Sequence, residues 1–127
     1  MRRILLSLLT CLFVSAGSAA PLSPTARTEI DGLLSRLEAS ACEFNRNGSW
    51  YPAPEAKSHL LRKLNYLEDR GAVQSAEQFI ELAASTSSMS GQPYLVRCAN
   101  GAPVPSRSWL LSQLQALRSA SGARKTP

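Results

Sequence analysis

Histidine occurs once in this 127-residue chain, cysteine three times, and aromatic residues make up 6% of it. Each scarcity excludes something. A single histidine among scattered carboxylates is a poor ligand set, so no metal site is expected. No two cysteines stand at CxxC spacing, which removes the thioredoxin-type redox motif and the zinc ribbon. Neither a GxSxG elbow nor an SxxK motif is present, so the familiar frames for a serine nucleophile are missing. Beyond residue 20 no apolar run is long enough to span a bilayer. No internal repeat and no linker-like stretch divides the chain, and no cofactor motif stands out.

What is present begins at the N-terminus. Arg2 and Arg3 precede an apolar run over residues 4–14, followed by the small-residue stretch Ser15-Ala16-Gly17-Ser18-Ala19-Ala20. That order is the pattern of a secretory signal peptide, expected over residues 1–20 with cleavage near 18–20. Cys11 lies inside the apolar run, with more apolar residues after it, which argues against a lipid-modified cysteine. Part of the formal charge of +5 leaves with Arg2 and Arg3, and the remaining basic residues are scattered, so nucleic acid is not an expected partner. A single small domain is expected over residues 21–121, with a disordered tail at 122–127. The location is expected to be periplasmic or secreted, with no membrane span once the signal is removed.

The exported chain keeps Cys42 and Cys98. An even pair in an oxidising compartment most simply forms a disulfide. It closes a loop of about 57 residues, which the chain-entropy model equates with roughly 4 kcal/mol of stabilisation.

Hydrophobic periodicity predicts a mainly α fold: a compact bundle of about four helices, with one or two short strands. The first helix is expected over about 25–41, where Ile30, Leu33, Leu34 and Leu37 make one stripe and Gly32 weakens the middle. The second is expected over about 54–70, ending at Gly71, with Ala56, Leu60, Leu64 and Leu67 on one side. A third starts at Ser75, where Gln78 completes a capping-box pattern. It ends in the hydroxyl-rich run at 85–90, whose side chains compete for backbone hydrogen bonds. The fourth is expected over about 106–119, capped by Ser106, with Trp109 or Leu110, then Leu111, Leu114 and Leu117, in its stripe. Residues 94–98 read as a strand, and residues 42–51 as a second one broken at Asn47-Gly48.

The densest stretch is RNGSWYPAPEAKSHLLRKL, residues 46–64. Two constellations lie in it. Arg46, Asn47, Trp50 and Tyr51 are candidates for a binding lip, since flat aromatic area beside polar tips suits a sugar ring or a partner protein. The alternative is that Asn47-Gly48 makes a tight turn and both rings pack on the core. Glu55, His59, Arg62 and Tyr66 fall on one side of the second helix, opposite its apolar stripe. Glu55 and His59, four residues apart, could work as an acid–base pair with Arg62 as an anion contact, or the whole face could simply be solvated. A serine from 85–90 acting with His59 as base is a further catalytic alternative.

The segments ACEFNRNGSWY, EAKSHLLRKLNYL, SAEQFIELAASTSSMSGQPYLVRC and PVPSRSWL, taken in order, resemble the YfeK-like family of small exported bacterial proteins, whose domain has no known function. The resemblance runs from about Leu33 to Leu111 and implies a shared fold and a Gram-negative periplasmic or secreted location. It implies no activity, ligand or catalytic residue. From the residues themselves, the expectation is a non-catalytic binding or accessory protein of the cell envelope, its partner an envelope protein or a cell-wall glycan. The alternatives are a small envelope hydrolase using His59 with Glu55 or a serine, and a structural or stress-related protein with no defined ligand.

Overall fold

The structure, a computed structural model, describes residues 21–124; the expected signal peptide lies outside the described residues. Four helices and a four-stranded antiparallel sheet make up the described chain, in the order α1 (Pro24–Ala39), β1 (Glu43–Arg46), β2 (Ser49–Pro52), α2 (Ala53–Asp69), α3 (Ala76–Ala83), β3 (Leu95–Arg97), β4 (Val104–Pro105) and α4 (Ser106–Arg124). The mainly helical expectation holds, but the one or two expected strands are four. The helices do not stand alone as a bundle. α1 touches α2, α3 and α4, while α2 also packs on β1 and β2, and α4 on β3 and β4.

The helices begin and end where local chemistry directs. Ser23 Oγ accepts from the Ala26 N–H at 3.1 Å, and Pro24 occupies the first turn of α1, where its missing N–H costs nothing. Gly71, at φ 61°, terminates α2. Its N–H donates to Glu68 O and the Ala72 N–H donates to Leu67 O, the paired bonds of a Schellman motif. Ser75 Oγ accepts from the Gln78 N–H at 3.1 Å, as expected, but Gln78 Oε1 reaches back to the Gln74 N–H rather than to that of Ser75. Ser106 departs from expectation more sharply. It is the first residue of α4 and fully buried, and its hydroxyl has no hydrogen-bond partner, so it does not cap the helix. Its backbone N–H instead donates to Tyr94 O at 2.8 Å, which ties α4 to the approach of β3. α4 also continues to Arg124, past the expected end at 119 and into the expected tail.

The apolar stripes meet in one core. Ile30, Leu33, Leu34 and Leu37 of α1 pack with Leu60 and Leu64 of α2, Phe79 and Ile80 of α3, and Leu110 and Leu114 of α4. Gly32 has a positive role at the α1–α4 crossing: a Cβ there would stand 3.2 Å from Leu117 Cδ1, so its absence lets the helices approach.

The sheet order is β2-β1-β3-β4. Asn47 and Gly48 both take positive φ, 52° and 83°, forming the two-residue turn that makes residues 43–52 a hairpin of two strands. The fourth strand is only Val104–Pro105, on the edge, where a proline removes no ladder bond. Cys42 and Cys98 are joined by a disulfide, as expected, immediately beyond the Glu43–Arg97 pair of β1 and β3.

Candidate functional site

The hairpin register decides where each candidate points. Trp50 lies opposite Asn45 and Tyr51 opposite Phe44. Neighbouring strand residues face opposite sides of a sheet, and Phe44 is buried against the helices at 1% exposure. Tyr51 therefore faces inward, toward α2, and Trp50 faces outward. The two rings do not form one lip.

On the outer face Trp50 is half-buried beneath Arg97, whose guanidinium carbon lies 4.0 Å from the ring centroid. Arg97 also donates to Glu43 Oε1 at 3.0 Å. Three strands are thus stapled together by one stacked and paired arginine. Trp50 belongs to the framework.

The inner face is different. Arg46 and Tyr51 from the hairpin meet His59 from α2 across a cleft, with the Arg46 guanidinium 5.0 Å from the Tyr51 centroid. Arg46 Nη1 lies 2.6 Å from His59 Nδ1. A guanidinium can only donate, so Nδ1 accepts and the single ring proton sits on Nε2. That nitrogen lies 3.2 Å from the Tyr94 hydroxyl, which accepts from it. Lys63 Nζ, one turn after His59, also donates to the Tyr94 hydroxyl at 3.2 Å and to Thr86 O at 3.2 Å. With both lone pairs engaged, the Tyr94 hydroxyl hydrogen is left to donate.

The charges agree with this arrangement. Burial, then the charges of Arg46, Lys63 and Arg62, lowers the His59 pKa from 6.5 to about 4, so the ring is neutral at pH 7. Burial and the Arg46 charge hold the Lys63 ammonium below the usual lysine range. Burial raises Tyr94, with Arg46 partly opposing it. Elsewhere Arg27, Lys57, Arg97, Arg107 and Arg118 each meet a carboxylate. Arg46, Arg62 and Lys63 have no carboxylate partner among the described residues.

Arg46, Tyr51 and His59 divide the cleft into two lobes. One, of about 300 Å³, extends along α2 past Glu55 and Arg62. The other, of about 310 Å³, opens toward the serine run and is lined by Lys63, Ser87, Ser88 and Tyr94. Asn47 stands at the rim, where its Oδ1 accepts from Ser90 Oγ at 2.6 Å and so ties the hairpin tip to the serine run. That run is well ordered by its own bonds. Ser85 Oγ donates to Ile80 O, Ser87 Oγ accepts from the Met89 and Ser90 N–H groups, and the Ser87 N–H donates to Gln92 O.

The expected polar side of α2 is therefore not one unit. His59 turns into the cleft, Glu55 and Arg62 line one lobe, and Tyr66 is exposed beneath Arg70, 3.5 Å from its guanidinium carbon. Neither Glu55 nor a serine hydroxyl is a hydrogen-bond partner of His59. No three histidine, cysteine, aspartate or glutamate side chains are grouped to hold a metal among the described residues. Sequence reasoning passed over Lys63 and Tyr94. Lys63 carried a signal, standing four residues after His59 on the same helical side; Tyr94 reaches the cleft only through the tertiary fold.

The family of unknown function DUF5329 matches residues 24–118, a span that includes every element from α1 through most of α4. The chain belongs to this family. The resemblance to YfeK agrees with that: a segment of 66 residues is 41% identical to the uncharacterized protein YfeK of Salmonella typhimurium, covering 51% of this chain and 53% of the relative. The match thus spans about half the length of that relative. No solved structure matches the chain. For this member of DUF5329 the geometry of the cleft carries the functional argument.

Proposed function

We propose that this protein is a non-catalytic binding or accessory protein exported to the cell envelope, and that it contacts its partner through the inner cleft. The observation that carries the reading is the convergence of Arg46, Lys63 and a neutral His59 on a cleft walled by Tyr51, with no carboxylate paired to either cation. Unpaired cations around partly enclosed space are a binding arrangement, because their mutual repulsion is relieved when something negative enters. The Cys42–Cys98 bond and the signal-like N-terminus support an exported location. Among the described residues no helix is long and apolar enough to cross a membrane. The partner is an envelope protein or a wall glycan.

The split of Trp50 and Tyr51 between two faces supplies the test. Purified protein and two single variants, Trp50→Ala and Tyr51→Ala, serve as baits for an envelope extract, with bound proteins and glycans read by mass spectrometry. A partner retained by Trp50→Ala and lost by Tyr51→Ala is the expected result. Loss only with Trp50→Ala, or retention by both variants, would overturn the cleft reading.

A further inference from the structure

The geometry points to a phosphate-monoester site in the lobe between the hairpin and the serine run, with Arg46 and Lys63 as its cations and the Tyr94 hydroxyl as a third donor. The inference rests on the cleft reading above and names the chemistry of what enters.

The two lobes differ in one decisive respect. The lobe along α2 contains Glu55, whose carboxylate repels an anion. The serine lobe has no acidic residue in its lining. It presents donors: the remaining N–H groups of Arg46, the third proton of Lys63, and the Tyr94 hydroxyl hydrogen freed because Nε2 of His59 and Nζ of Lys63 occupy its lone pairs. Ser87 adds another. It is buried, its oxygen already accepts two backbone N–H groups, and its own hydrogen is left to donate.

Charge selects among oxyanions. Two full positive charges face the lobe beside a neutral imidazole. A carboxylate would balance one of them; a phosphate monoester, with a charge near −2 at neutral pH, balances both and offers three acceptor oxygens to the donors present. About 310 Å³ is at the small end of ligand pockets and leaves room for a compact organic group beside the phosphate.

The test is a titration of purified protein with inorganic phosphate at constant ionic strength, followed by amide and His59 ring signals in NMR, with acetate titrated in parallel. Saturable shifts at residues 46, 63, 87 and 94 are expected with phosphate, together with a rise in the His59 titration midpoint as the anion offsets its cationic neighbours. Lys63→Gln and Arg46→Gln should each weaken phosphate binding by roughly tenfold or more, the scale of one charge-assisted hydrogen bond. Tyr94→Phe keeps the ring against Phe44 and should weaken it less, and Arg107→Gln, remote from the cleft, should leave it unchanged. Glucose 1-phosphate and phosphatidic acid in phosphatidylcholine vesicles then distinguish a soluble source from a lipid one. No saturable shift with phosphate, equal affinity for acetate, or full binding by folded Lys63→Gln and Arg46→Gln overturns the proposal. If phosphate fails while Tyr51→Ala still loses its envelope partner, the phosphate inference falls and the cleft reading stands. If phosphate binds but both baits keep their partners, the anion site stands and its part in holding that envelope partner falls.

Discussion

The two faces of the small sheet use arginine in opposite ways. On the outside, Arg97 lies over Trp50 and pairs with Glu43, so charge, donor and ring are all engaged within the protein. On the inside, Arg46 leans on Tyr51 and donates to a histidine that returns no charge, while Lys63 and Arg62 stand near it without carboxylates. The outer arrangement is complete, and its contribution is to hold strands together. The inner one gathers cations that pair with no carboxylate among the described residues, and it is on this repulsion that the binding cleft proposed above rests.

Breaking the frame common to both faces should have the largest effect. Replacing Cys42 and Cys98 with serine is expected to lower stability by roughly 4 kcal/mol, since the bond closes a long loop. Urea unfolding of the oxidised protein and the double variant measures it, and an unchanged midpoint would count against the bond as a stabiliser. Trp50→Ala should come next, at about 2 kcal/mol, because a half-buried ring and its stacked guanidinium are lost together. Tyr51→Ala should cost less stability and act on binding instead. If the two variants exchange these phenotypes, the assignment of faces is wrong.

Acid should affect the inner face selectively. The folded pKa of His59 is depressed to about 4 from 6.5, so the unfolded chain binds more protons between those values. The His59 contribution to stability is therefore fully present above about pH 6.5 and is lost as pH falls toward about 4. His59→Gln should flatten that part of the profile in unfolding experiments repeated across the range; an identical slope in the variant would remove His59 as its cause. The smallest effect should come from Glu43→Gln, about 0.5 kcal/mol and reduced further by salt, as expected of an exposed ion pair.

The helices were legible because each writes its buried stripe at a spacing of three and four, and because Ser23, Gly71 and Ser75 punctuate them locally. The Cys42–Cys98 bond was legible from the even count that remains beyond the signal-like segment. The fourth strand was not, since Val104-Pro105 has too few residues to show alternation and a proline reads as a loop. Ser106 looked like a cap because a serine ahead of an apolar stripe is the usual signal, and the sequence does not show that it would be the first helical residue with its hydroxyl buried and unpartnered. The lip over Trp50 and Tyr51 failed for a simpler reason. Adjacent residues in a strand cannot share a face, and that follows once Asn47-Gly48 is read as a hairpin turn rather than an interruption. The cleft itself draws on residues 46, 59, 63 and 94, from three separate elements, and only the tertiary fold assembles them.

The strand order also separates a local pairing from a distant one. β1 and β2 are joined by two residues, and hairpins of that kind pair within microseconds, whereas β1 and β3 are separated in the chain by α2 and α3. Cys42 and Cys98 flank that non-local pair, so the bond between them closes the same long loop that the pairing closes. An oxidant that joins them early shortens the search for the central strand pair by tethering its two ends, and a reductant lengthens it.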